Sequence, residues 1–185
     1  MVEHMARPAT ALRGHILESA LRLFAANGFR GTSLQDIASD AGCSKASLLY
    51  HFANKDALLV ELLTPTAEEI TALLARLDAL EGPELVEAAV TGYVDTALRF
   101  RRQMRLLFAE IERASDEEVL GVPDLSEGLL QSLTGRSPDP RARVAAWMAI
   151  GAVFITSAGN DDVPHEVLRT ELILGMRRLL QHTPA

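Results

Sequence analysis

Residues 32–59, TSLQDIASDAGCSKASLLYHFANKDALL, contain three helix starts in close succession. Thr32 and Ser33 are both good N-cap residues. Gln35 lies three positions after Thr32 and Asp36 three after Ser33, so either pair can form a capping-box arrangement. Leu34, Ile37, Ala38 and Ala41 then fall on one face of a short helix that Gly42 stops. Ser44 caps the next short helix, which runs from Lys45 to about Phe52 with Leu48 and Phe52 packing inward at i and i+4. Asn54 caps a further helix that begins Lys55-Asp56-Ala57-Leu58-Leu59.

Two short helices joined by a tight, glycine-containing turn predict a helix-turn-helix. In that motif the second helix enters the DNA major groove, and its N-terminal residues reach the base edges. The outward positions of the second helix are Lys45, Ala46, Ser47, Tyr50 and His51. Ala46 and Ser47 are small enough for close backbone approach, and lysine, serine, tyrosine and histidine all donate hydrogen bonds to phosphates or bases.

Upstream, Leu12, Ile16, Leu17, Ala20, Leu21 and Phe24 form an apolar stripe on a helix from about Ala11 to Ala26, which Asn27-Gly28 closes. Downstream, breaks at Glu81-Gly82-Pro83, around Gly121-Val122-Pro123, at Gly135 to Pro140 and at Gly159 to Pro164 delimit longer helices. These cover roughly 84–112 (with room for one break), 124–134, 140–158 and 164–182. No stretch alternates with period two, and neither an internal repeat nor a low-complexity linker is visible. The expected fold is all-α: a three-helix DNA-binding head over residues 1–53, joined directly by the fourth helix to a helical body over 54–185.

Composition agrees with that reading. The 185 residues are 48% apolar but only 5% aromatic, with abundant Ala and Leu, which favours helix over sheet. The net charge of −7 is unevenly spread. Residues 1–55 carry six basic and four acidic side chains (+2), and the remaining 12 basic and 21 acidic residues give −9. No apolar run approaches the ~20 residues that span a bilayer. Residues 1–11 lack the layout of a secretory signal, and the single cysteine excludes a disulfide framework. A cytoplasmic protein without a membrane partner is expected. Cys43 reads as a buried thiol rather than a redox switch. The five histidines have no ligand-like spacing, and no phosphate loop, nucleophile elbow or carboxylate pair stands out. Neither an enzyme nor a bound metal or cofactor is expected.

From Ile16 to Leu62 the chain resembles the TetR family of bacterial regulators. The likeness rests on Phe24, Gly28-Phe29, Thr32-Ser33, Ile37-Ala38, Ala41-Gly42, Ser44-Lys45, Leu48, His51-Phe52, Asn54-Lys55 and Leu58-Leu59 at fixed spacing. It implies that Thr32, Ser33 and Lys55 contact DNA phosphates, Lys55 with the help of free amides at its helix N-terminus. Leu49 stands where the family usually has a phosphate-binding tyrosine, and the neighbouring Tyr50 is the candidate to take that role. The resemblance further implies a homodimer through the last two helices, about Arg141 to Ala158 and Val163 to Leu180. Ala145, Ala146, Ala149, Gly151 and Ala152 would allow close approach, and Val167, Leu168, Leu172, Leu174 and Leu179 would supply apolar contacts. A small, largely apolar effector is expected in the body, lined by Phe100, Met104, Phe108, Trp147 and Phe154, each of which also fits an ordinary core position. Two recognition helices ~34 Å apart would then read a palindromic operator, usually to repress, until the effector favours a poorly fitting geometry. The family's fourth helix usually runs unbroken, so Pro65 predicts a bend near Thr64, either as a kink or as a new helix beginning at Pro65.

Overall fold

Leu- and Ala-rich segments punctuated by Gly and Pro fold as that patterning predicts. The computed structural model describes residues 9–109, 122–159 and 162–181. Among them are nine α-helices and no strand: α1 Ala9–Asn27, α2 Leu34–Asp40, α3 Lys45–His51, α4 Lys55–Leu77, α5 Gly82–Arg99, α6 Arg101–Ala109, α7 Val122–Leu133, α8 Pro140–Gly159 and α9 His165–Gln181. The break expected within 84–112 falls at Phe100, whose ψ of 32° interrupts the helix between α5 and α6. Pro83 occupies the first turn of α5, where its missing N–H costs nothing and its fixed φ suits a helix start.

The chain forms two compact units that meet between Leu62 and Leu63. The division between these units lies inside α4. The first turns of α4 belong to the head because side chains tie them there: Glu61 pairs with Arg13, and Lys55 bonds to the carbonyls of Phe29 and Thr32. Pro65 does not divide the helix either. α4 is helical from Lys55 to Leu77, which overturns the expectation that Pro65 begins a separate helix. Burial of Leu62, Leu63 and Ile70 on flanking turns offsets the lost hydrogen bond.

In the second unit, α5 is the central helix. Leu85, Ala89, Val90, Val94 and Ala97 are all at most 1% exposed, against α4, α7, α8 and α9. Its buried polar groups are matched. Thr96 donates to the Gly92 carbonyl at 2.9 Å, and the Tyr93 hydroxyl donates to the Ile150 carbonyl at 3.2 Å. Burial pushes the Tyr93 phenol upward, which keeps it a neutral donor. Gly92 leaves room for the buried Leu73 side chain of α4: a Cβ there would lie 2.4 Å from Leu73 Cδ1. Gly92→Ala is expected to destabilise the fold by about 1–3 kcal/mol through overpacking, read as a lower midpoint in urea with unchanged slope.

α8 corrects one sequence expectation. Its 20 residues, with mean hydropathy 1.4 over the most apolar window, are long and apolar enough to cross a membrane by length and composition. Small residues interleaved with Val, Ile, Met and Phe raise its hydropathy without forming a run that stands out. It packs in the body through Ala146, Ala149 and Val153, all fully buried, while Val144, Trp147, Met148 and Ile155 are about half exposed along a different face.

Candidate nucleic-acid interface

The head is organised by side chains that cap backbone. Of the two possible capping boxes, the chain uses Ser33 with Asp36. The Asp36 amide donates to Ser33 Oγ at 3.1 Å, and the Ser33 amide donates to Asp36 Oδ2 at 2.9 Å. The Ser33 hydroxyl, donating to Asp36 Oδ2 at 2.6 Å, and then the Ser33 amide hold the Asp36 carboxyl below its ordinary range. Gly28 and Gly42 take the left-handed φ values (74° and 68°) that end α1 and turn the chain after α2. Ser44 then caps α3, accepting from the Ser47 amide at 3.1 Å, and Asn54 Oδ1 accepts from the Ala57 amide at 2.8 Å at the start of α4. Ser44→Ala should cost about 1 kcal/mol and fray the first turn of α3, which faster amide exchange at residues 45–47 would report.

Packing fixes which face of α3 points outward. Leu48 is fully buried and Phe52 nearly so, as the spacing predicted. Lys45, Ala46 and Tyr50 are exposed, Ser47 and His51 partly so. Tyr50 is the most prominent at 85% exposure, its ring edge-on to His51 with centroids 5.3 Å apart. Leu49 is also exposed, at 42%.

Thr32, Ser33 and Lys55, the expected phosphate contacts, each make hydrogen bonds within the head. Thr32 is 2% exposed, and its hydroxyl donates within the head to the Gly28 carbonyl at 2.9 Å and the Leu23 carbonyl at 3.2 Å. Its one hydroxyl proton is thus directed into the turn that follows α1, to the Gly28 carbonyl just beyond the helix end and towards that of Leu23. Ser33 keeps its exposure, but its hydroxyl is held by Asp36. The Lys55 ammonium donates to the Phe29 and Thr32 carbonyls at 2.5 and 2.8 Å and sits 4.3 Å from the centre of the Phe29 ring. Sequence reading missed Arg13 altogether: it pairs with Glu61 and lies 4.9 Å over the Phe52 ring. Nothing in the local pattern of α1 marks that contact, which joins residues 48 positions apart.

Cys43 is half-buried, and burial pushes its thiol pKa up, away from the reactive thiolate. Among the described residues no group of three His, Cys, Asp or Glu side chains could hold a metal ion.

The residues expected around an effector differ in their exposure. Met104 is buried on α6, while Phe100 and Phe154 are half-buried. Phe108 lies on α6 with its side chain outside the described residues. Trp147 is 48% exposed on α8, one side of the stripe of Val144, Met148 and Ile155 and in line with Phe154 seven residues on. A cavity of about 330 Å³ lies elsewhere and is polar, lined by Glu127, Gln131, Thr134, Arg136, Ser137 and Arg143 among others. Its charges are already matched, Arg143 by Glu127 and Arg136 by the Asp78 and Leu80 carbonyls.

A capped helix-turn-helix whose second helix protrudes with lysine, small residues and an exposed tyrosine defines the head of a DNA-binding regulator. The family model for bacterial regulatory proteins of the tetR family matches residues 16–62. The chain is 31% identical to the HTH-type transcriptional repressor KstR2 of Mycobacterium tuberculosis over 144 residues, 69% of this chain and 72% of that protein. It is 32% identical to the HTH-type transcriptional regulator RutR of Escherichia coli K12 over 146 residues, 78% of this chain, and spans 66% of RutR's length. The crystal structure of AmtR from Mycobacterium smegmatis shares the fold, with a TM-score of 0.73 at 23% identity, over all of this chain and 92% of that one. The chain belongs to the TetR family of DNA-binding transcriptional regulators. The curated relatives named here are regulators, not enzymes.

Proposed function

We propose that the protein is a cytoplasmic repressor that binds a palindromic operator as a homodimer and leaves it when a small, largely apolar effector binds the helical body. The observation that carries the DNA-binding part is the outward face of α3, where Tyr50 projects at 85% exposure beside Lys45 and Ala46. Tyr50, His51 and Ser47 would read or position on the groove, and Lys45 would meet phosphate. The repressor designation of KstR2 supports the direction of regulation.

Pairing through α8 and α9 is supported by the apolar stripe of Val144, Trp147, Met148 and Ile155, continued by Val167 on α9. Gly151 and Ala152 lie within the same stripe, and nothing stands within 4 Å of a Cβ built on Gly151. Ala146, Ala149, Leu168 and Leu172 serve the protomer's own core instead. For the effector, Phe100, Met104 and Phe154 remain the proposed apolar contacts, without Trp147.

The test is a selection of random duplexes by the full-length protein at physiological salt. An enriched inverted repeat with salt-dependent affinity is expected. Recovery of no sequence above nonspecific binding would overturn the reading and favour a head that acts through another protein.

A further inference from the structure

Polar side chains inside the helices of the body bond back to their own backbone. Thr71 donates to the Ala67 carbonyl at 2.8 Å, Thr96 to that of Gly92 at 2.9 Å and Ser132 to that of Gly128 at 2.9 Å. Thr66 on α4 makes no such bond. The residue is 8% exposed, and among the described residues its hydroxyl is the one buried side-chain polar atom without a hydrogen-bond partner. A hydroxyl left in that state costs the fold, and a valine of the same shape would not. Thr66 continues the buried stripe of Ile70, Leu73 and Leu77, through which α4 packs into the core of the body. α4 and α5 run antiparallel there. Leu73 lies against Gly92, and one turn earlier on α4 Glu69 accepts from Arg99 at 3.0 Å. Thr66 precedes Glu69 by nearly another turn, and so lies towards the junction of α5 and α6, where Phe100 is half-buried and Met104 is 4% exposed. An apolar stripe that holds a single unpartnered hydroxyl is suited to orient a mostly apolar ligand.

We infer that Thr66 is the polar contact of the effector, and that the effector is an apolar molecule carrying one hydroxyl or carbonyl, which completes the hydrogen bond Thr66 lacks. This rests on the reading, proposed above, of a small, largely apolar effector bound in the body. The threonine hydroxyl can donate to a carbonyl, and can donate to or accept from an alcohol. Selectivity follows from the same burial: a ligand without an oxygen at that point leaves Thr66 unpaired, and one that has it relieves the cost. The bond would be made on α4, the helix whose first turns are tied to the head.

Two measurements on the full-length protein test this, with octanol and octane as probes. In the free protein, Thr66→Val is expected to raise the melting temperature by about 2–4 °C, because it removes an unsatisfied buried hydroxyl. A lower melting temperature would show that the hydroxyl already has a partner, water included, and would overturn the inference. Binding is followed through the methyl resonances of position 66 and Met104. Octanol is expected to shift both in the wild type. Thr66→Val should weaken octanol about fivefold without weakening octane, and Thr66→Ser, which keeps the hydroxyl, should retain the affinity for octanol. Equal loss for the two probes, or octanol leaving both resonances unmoved, would each overturn the assignment. Neither measurement involves DNA. A wild type that selects no operator would therefore sink the DNA-binding reading while Thr66 is still decided. Octanol that binds through Thr66 without releasing a selected operator would sink only the release step.

Discussion

Tyr50→Ala should weaken binding to the selected operator about ten- to hundredfold, while leaving the melting temperature and the affinity for unrelated duplex almost unchanged. The side chain is 85% exposed and supports no core contact, so removing it cannot act through stability. Its ring meets only His51, a neighbour on the same helix. A group that contributes through base or groove contact loses the specific part of the affinity, and the nonspecific part, set by phosphates, persists. Competition binding with operator and scrambled duplex at several salt concentrations measures both. Equal loss on the two duplexes would mean that Tyr50 contacts backbone alone. No loss on either would remove α3 from the interface and with it the proposed register of the head.

Trp147→Asp should convert the proposed dimer to monomers at micromolar concentration and reduce operator binding by more than Tyr50→Ala does. Truncating a tryptophan at the centre of an interface typically costs ~2 kcal/mol or more, about thirtyfold in dissociation constant, and a carboxylate adds its desolvation. Within one protomer the position is 48% exposed, so the substitution spares the core of the body. The loss at the operator follows because two half-sites are engaged by one covalently independent pair, and a monomer forfeits the high effective concentration of its second head. Sedimentation velocity over a concentration series gives the oligomeric state, and circular dichroism checks the fold. A Trp147→Asp protein that remains dimeric would show that the α8 stripe faces something other than a second copy.

The head was largely legible in the sequence because its signals are local. Ser33, Ser44 and Asn54 cap helices whose first amides lie two or three residues away, and Leu48 and Phe52 face inward by helical repeat alone. Such features depend on chain geometry over a single turn, so they can be read without knowing what the helices pack against. The division of labour among polar residues was not legible in the same way. Thr32 and Lys55 look like outward donors in a linear reading, yet the nearest needy acceptors for both are carbonyls of their own turn.

The body shows the same split at larger scale. Gly and Pro positions marked where helices end, and the apolar repeat marked that they are helices. The repeat does not say which of two apolar faces is covered by the chain's own core. On α8 both faces are apolar or small, and only packing against α5, α6 and α9 assigns Ala146, Ala149 and Val153 to the interior and Trp147, Met148 and Ile155 to the outside. Pro65 could end a helix or sit within one by its own chemistry, and burial on the flanking turns kept α4 continuous. By itself the sequence determined the helices, their caps and the recognition face, because those follow from contacts within one or two turns. The tertiary structure decided that Lys55 is tied down, that the single tryptophan is half exposed and where the head ends, because those depend on partners tens of residues away in the chain.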